Sequence, residues 1–387
     1  MSVRTAPEKQ TAQPEAVRDP RAGGPSERTV FVGTRKGLFR LTRGEGEGED
    51  GAWSVHGPTL QGWEVTTVWA DPSGQRVLVG TAHFVYGATI RESVDGGETF
   101  AEIAAGPAYA ADRGLKMNRI WRIEQSRHDP DRFYAGVDEA SLFVSEDGGA
   151  TWRENQGLGH HETRPTWFPG NGGLCLHSIV EHPTDPQRMW IAISAVGAFR
   201  TDDGGDTWKV LPDGIPGVPT DEGAVDHGTS RCVHRLVIDE RNPDRLFMQY
   251  HGGVFRSANG GDTWHRIERG LPSNFGFPMV QLHDGSVMVI PLVSDEQRYT
   301  ENGVLEVYRS ADAGESWTGV RVNAPGDPAF TNVLRDAMAV DRGQPQGVFF
   351  GTTGGDLFAS FDGGDGWERL PGHFPRISSV RALVPES

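Results

Sequence analysis

The chain of 387 residues has only two cysteines, too few for the disulfide framework that staples small secreted folds. It contains no run of eighteen apolar residues, and the opening MSVRTAPEKQTAQPEAVRDPRAGGPSE has no apolar segment of the kind an export signal carries. Neither a membrane-spanning helix nor a secretory leader is read from it. The expectation is a cytoplasmic protein with a disordered, Pro- and charge-rich leader over residues 1–27. Basic clusters are missing as well: 37 Lys and Arg stand against 53 Asp and Glu, a net charge of −16 spread along the sequence. Nucleic acid and anionic membranes are therefore not expected as partners.

What the sequence does have is one short polar run, used six times. SVDGGETF starts at Ser93, SEDGGATW at Ser145, TDDGGDTW at Thr201, SANGGDTW at Ser257, SADAGESW at Ser310 and SFDGGDGW at Ser360. The third residues, Asp95, Asp147, Asp203, Asn259, Asp312 and Asp362, are 52, 56, 56, 53 and 50 residues apart. Self-similarity at such a period marks an array of supersecondary units.

Each copy follows the same preamble: an apolar β-branched run, an Asp-Pro or Asn-Pro turn, a second apolar run ending near Gly, and a short aromatic strand, as in LHSIVEHPTDPQRMWIAIS and VGAFRTDDGGDTWKVL. Four short strands per unit make one blade of a propeller. TVFVGTRKGLFRLTR and Trp53 supply a further unit that lacks its first strand, and ISSVRALV at 377–384 is a strand without a unit. Pairing the two closes the ring and removes the free edges of an open array. The expected fold is all-β: a single seven-bladed β-propeller over residues 28–387, closed by the C-terminal strand.

The polar run then reads as scaffold. An Asp can accept amides within its own hairpin, the glycines permit positive φ, and the Trp packs between blades. Six calcium or sugar sites would not tolerate Asn259 and Ala313 in the repeat, whereas a turn does.

S-x-D-x-G-x-T-W resembles the Asp-box, or BNR repeat, of sialidases, sortilin-type receptors and a photosystem assembly factor. Residues 29–385, with segments such as GTRKGLF, HFVYG, GLCLHSIV, SNFGFP and LRDAMAVD, look like bacterial BNR-repeat proteins labelled sialidase-like or glycosyl hydrolase. That resemblance implies a propeller and, as an alternative activity, glycoside hydrolysis of the exo-sialidase type. Sialidases hold a carboxylate with three arginines and use a Tyr–Glu nucleophile pair with an Asp acid. Here the usual Phe-Arg-Ile-Pro element is absent, FPRI at 374–377 has another order, and among six tyrosines only Tyr299, near Glu301, suggests itself as a nucleophile.

Residues that break the repeat are the candidates for function, because a scaffold does not need them to vary. Aligned by their apolar residues, the first strands carry Thr66, Trp121, His177, His234 and Asp336 at one position, with Arg122, Arg235 and Arg335 adjacent. The ends of the second strands carry Arg35, His83, Asp138, Glu139 and His251. All fall on the face opposite the repeated turns, at the mouth of the channel, where the loops 157–173, 213–231 and 291–304 could form a rim; the first holds His160, His161, Arg164 and Trp167. The expected division of labour gives acid, base or proton-transfer roles to Glu139, Asp336, His177 and His234, and ligand binding to Arg35, His83, Arg122, His251 and Arg335. A small-molecule, glycan or protein ligand, anionic in part, and a monomeric protein are expected. Cys175 with His177 and Cys232 with His234 repeat Cys-x-His in adjacent units, so a second alternative is a zinc or copper site built from these four.

Overall fold

The computed structural model describes residues 27–44, 52–217 and 230–384. Residues 1–26 of the expected leader and 218–229 of the second expected rim loop lie outside them. The described residues form strands, one four-residue helix at Gln156–Gly159 and three short 3-10 turns, and no helix among them is long and apolar enough to cross a membrane.

The strands make five four-stranded sheets and one eight-stranded sheet. Each four-stranded sheet is an antiparallel meander; the first runs Glu64–Ala70, Val77–His83, Gly87–Ser93 and Ala101–Glu102. Second strands such as Phe133–Asp138, Met189–Ile193 and Leu246–Tyr250 are buried at every residue. They are covered on both faces by neighbouring sheets, so their sequences are continuous apolar runs and not alternating ones. The fourth strands are mostly two residues long and polar, which blunts the outer edges against pairing with other chains.

The eight-stranded sheet is two such meanders in contact. Val333–Val340 through Glu368–Arg369 forms one; Ile377–Leu383, Arg28–Thr34, Gly37–Arg43 and Trp53–Thr59 form the other, and the parallel bridge between Asp336 and Ser379 joins them. The last strand pairs antiparallel with the first, from Thr29 opposite Leu383 to Thr34 opposite Ile377. Ile377–Leu383 also touches both Val333–Val340 and Glu64–Ala70. Gly33 makes that approach possible, since a Cβ there would stand 2.3 Å from Ser379 Oγ and 2.9 Å from the Val65 carbonyl.

The repeated turns are self-contained hydrogen-bond cages. The Ser93 hydroxyl donates to Asp95 Oδ1 (2.7 Å) and accepts the Gly97 amide (2.8 Å), while the Thr99 amide and hydroxyl donate to the Asp95 carboxylate (2.9 and 2.5 Å). Thr201, Asp203, Gly205 and Thr207 repeat this arrangement. Asn259 preserves it by turning its amide group to donate to Thr263 Oγ1 (3.0 Å), and Ala313 holds the glycine's left-handed φ of 57°. The bonds hold the Asp95, Asp147, Asp203 and Asp312 carboxyls down at about 2.

The turns also stitch sheet to sheet. Arg40, Arg200 and Arg256 each donate to a carbonyl of the next sheet's turn (Gly96, Gly260 and Ala313; 2.7, 2.9 and 2.7 Å). The Trp208 and Trp317 indoles donate back to the preceding sheet, at Asn155 Oδ1 and the Ile267 carbonyl.

Candidate functional site

The Gly96, Gly148, Gly204 and Gly260 amides of the turns bond to the connection between the first and second strands of their own sheets. The turns therefore lie where the inner strands end, and the candidate site lies where they begin. There the inner strands share a distortion: pairing with the second strand slips between Val65 and Thr67, Ile120 and Arg122, Leu176 and Ser178, Val233 and Arg235, and Gly276 and Met279. The residues passed over include Thr66, Trp121, His177, His234 and Phe277. A bulge leaves its extra residue out of the ladder and re-aims its side chain, so the variable position found by alignment is also the position with directional freedom.

Two tiers of side chains cross the axis. In the outer tier the Arg335 guanidinium lies over the rings of Trp121 (5.5 Å) and Phe277 (5.7 Å). These residues come from three different sheets, two of them not neighbours, and such sheets meet only on the axis. Arg335 forms no ion pair among the described residues, and its buried Nη1 has no hydrogen-bond partner; the Cys175 thiol is its polar neighbour. In the inner tier Asp336 Oδ1 accepts from Arg122 Nη1 (2.9 Å) and from Arg235, while Arg122 also pairs with Glu124 (Nε to Oε1, 2.6 Å).

The candidates named from the sequence separate accordingly. Arg122, expected to hold a ligand, and Asp336, expected to act as acid or base, are engaged with each other across the axis in an ion pair. His177 is buried with both nitrogens occupied, by Ser178 Oγ (3.0 Å) and the Val233 carbonyl (2.9 Å); burial and then the Arg335 charge hold it neutral, well below the usual histidine range. Arg35 is exposed, 3.9 Å from Glu64, which Arg119 grips at 2.9 Å. His83 packs among Trp63, Phe84 and Tyr86, and its Nδ1 accepts the Val85 amide (3.1 Å). Glu139 is half-buried, its carbonyl receiving the Tyr109 hydroxyl (2.5 Å) and Arg164 (3.2 Å). Arg164 thus pins the 157–173 loop against the site.

The expected Cys175–His177–Cys232–His234 metal set does not assemble. The Cys175 thiol donates to the Gly172 carbonyl (2.9 Å), and burial pushes it up to about 12. The donors that converge are instead Cys232, His234 and His251, whose sulfur and ring nitrogens lie within 4.8 Å of one another. His234 stacks on Phe277 (4.6 Å) and faces His251 (5.5 Å).

Asp138 was named from the sequence at the end of a second strand but given no role. It ends a fully buried strand, and burial, reinforced by the Glu139 charge, raises its carboxyl to about 6. Such displacement is typical of acids poised to exchange a proton near neutrality. The signal available was its place inside an otherwise apolar strand; the neighbouring, more exposed Glu139 drew the attention instead. Because the folded protein holds this proton to about pH 6 and the unfolded chain only to about 4, the native state binds more protons between those values. Stability therefore falls as pH rises through that window. Asp138→Asn is expected to remove the fall and to raise unfolding free energy at pH 7.5 by about 1–3 kcal/mol, with little change at pH 4, as read by urea denaturation at both pH values.

A cavity of about 470 Å³ lies at the other end of the axis, beyond the inner tier, lined by residues such as Arg122, Glu124, Arg235, Gln281 and Arg381. Its walls carry Arg–carboxylate pairs, Arg122 with Glu124 and Arg127 with Glu240, that already satisfy one another. The mouth selected from the sequence is the end filled by Trp121, Phe277 and Arg335.

No family model matches the chain. Among curated proteins it is similar to a xyloglucanase of Paenibacillus sp., 23% identical over 241 residues that cover 54% of this chain and 22% of that protein. It is also similar to a sialidase of Micromonospora viridifaciens, 25% identical over 281 residues covering 63% and 42%. The chain thus spans less than half the length of either. Among solved structures, the GH74 enzyme of Niastella koreensis superposes with a TM-score of 0.53 at 15% identity, covering 79% of this chain and 45% of that one. The curated relatives are glycoside hydrolases, and the structural neighbours place this all-β chain among the β-propellers.

Proposed function

We propose that the chain is a closed ring of seven four-stranded blades whose mouth, at the starting ends of the inner strands, binds an anionic, glycan-like ligand. The observation that carries this reading is Arg335: a guanidinium on the axis with no carboxylate paired to it, between two aromatic rings. Its planar fork of donors matches a carboxylate, and the partly exposed Trp121 offers flat apolar surface to a sugar ring. The ring itself is supported by the pairing of the last strand with the first and by the succession of contacts among inner strands.

Titration calorimetry with glucuronic acid, N-acetylneuraminic acid and their neutral counterparts tests the reading. The acidic sugars are expected to bind in preference, and Arg335→Ala to weaken them by about 10–100-fold, the loss of a charge-assisted hydrogen bond. Equal binding of acidic and neutral sugars, or unchanged affinity in Arg335→Ala, would overturn it.

A glycoside hydrolase is the second reading, favoured by Asp138 beside Glu139 and by the hydrolase relatives. Asp138, protonated to about pH 6, would supply the proton to a leaving oxygen. Release of sugar from acidic oligosaccharides by the wild type, abolished in Asp138→Asn, supports it; binding without turnover leaves the first reading alone.

A further inference from the structure

We propose that Cys232, His234 and His251 form a mononuclear zinc site at the mouth, with the fourth position open to solvent. The three donors come from two adjacent strands of one sheet, Cys232 immediately before and His234 within Val233–Ile238, and His251 after Leu246–Tyr250. The His251 amide bonds to the Cys232 carbonyl (2.9 Å) and holds the two strand ends together. Their ligand atoms lie within 4.8 Å of one another. Zinc bonds of about 2.0–2.3 Å in tetrahedral geometry separate donors by about 3.3–3.8 Å, a closure that side-chain rotation supplies.

The hydrogen bonds around the cluster distinguish it from a filled core. His177, one sheet away at the equivalent position, has both nitrogens taken by protein. His234 commits only Nδ1, to the Gly276 carbonyl (2.6 Å), and Nε2 makes no hydrogen bond among the described residues. His251 Nε2 faces Asp295 Oδ2 at 3.6 Å, which leaves Nδ1 for an ion. A carbonyl behind one ligand histidine and a carboxylate behind the other are the outer contacts that fix ring orientation and tautomer at zinc centres. One thiolate and two imidazoles suit a borderline ion such as zinc, and three protein ligands leave a position for water or substrate. The inference does not rest on Arg335 binding an anion.

The test uses full-length protein purified without affinity metal and treated with chelator. Zinc is expected to bind with a stoichiometry of one in competition with a chromogenic chelator, and cobalt(II) to give intense tetrahedral d–d bands with a sulfur-to-cobalt charge-transfer band. Cys232→Ser should abolish the charge-transfer band, and His251→Ala should weaken zinc by at least about a hundredfold. Asp295→Asn, which removes only the outer contact, should cost about 10–100-fold. Cys175→Ser should change nothing, since that thiol is committed elsewhere. Because the partly buried positions 232, 251 and 295 carry the test, a failure of His234→Ala to fold leaves it intact. Absence of zinc binding to the wild type, a charge-transfer band that persists in Cys232→Ser or disappears in Cys175→Ser, or binding of copper but not zinc, overturns the assignment.

Discussion

Deleting residues 377–387 is expected to leave a chain that no longer unfolds cooperatively. Ile377, Val380, Ala382 and Leu383 are buried, and at about 1.5–3 kcal/mol for each large apolar side chain their loss alone removes roughly 5–9 kcal/mol. That is the size of the whole stability of a typical domain. The deletion also strips Arg28–Thr34 of one of its two partners and leaves a bare hydrogen-bonding edge facing the core. Circular dichroism melts and size-exclusion profiles of the truncated and full chains check this. A truncated protein that melts at the wild-type temperature would show that the terminal strand is an accessory.

The second large effect concerns the ion pair that anchors the same joint. Arg28 Nε donates to Asp341 Oδ2 at 2.7 Å with both side chains fully buried, and Asp341 also accepts the Gly343 and Gly347 amides (2.9 and 2.7 Å). Asp341→Ala leaves a guanidinium without its counter-charge and two amides without an acceptor, and is expected to cost about 3–5 kcal/mol. Urea unfolding should show a lower midpoint at unchanged slope. The double replacement Arg28→Met with Asp341→Leu should cost less than Asp341→Ala alone, because the burial penalty falls on the unpaired charge and not on the pair. Equal or greater loss in the double variant would mean that the Asp341 turn, and not the charge, is what matters.

Much of the scaffold was legible because it repeats. One Ser-x-Asp-Gly-Gly turn is weak information, but its recurrence located the third strands, and the spare strand at 377–384 found its partner because the opening unit lacked one. The site was legible only as a list of residues that fail to repeat. Alignment placed Thr66, Trp121, His177 and His234 at one position, and the structure makes that position a bulge; a pattern of side chains does not reveal a bulge, so the directions of those side chains were lost. Asp336 and Arg335 are neighbours in sequence, yet one is consumed by Arg122 and Arg235 from sheets far along the chain while the other is left unpaired. Likewise the repeated Cys-x-His suggested symmetry between Cys175–His177 and Cys232–His234. The backbone carbonyl of Val233 breaks it by occupying His177, and His251, from the next strand, takes the place that symmetry had given away.

The pairing of Thr29 with Leu383 has a consequence for biosynthesis. The sheet that holds Arg28–Thr34 is completed last, since its innermost strand, Ile377–Leu383, is translated after every other described strand. At about 5–20 residues per second, Arg28–Thr34 waits roughly 20–70 s with an unpaired edge while every later sheet can form. During that interval the nascent chain carries an adhesive strand at Arg28–Thr34 and depends on something else to shield it, a chaperone or the sheets already assembled. Refolding from denaturant, where both ends are present from the start, never passes through it.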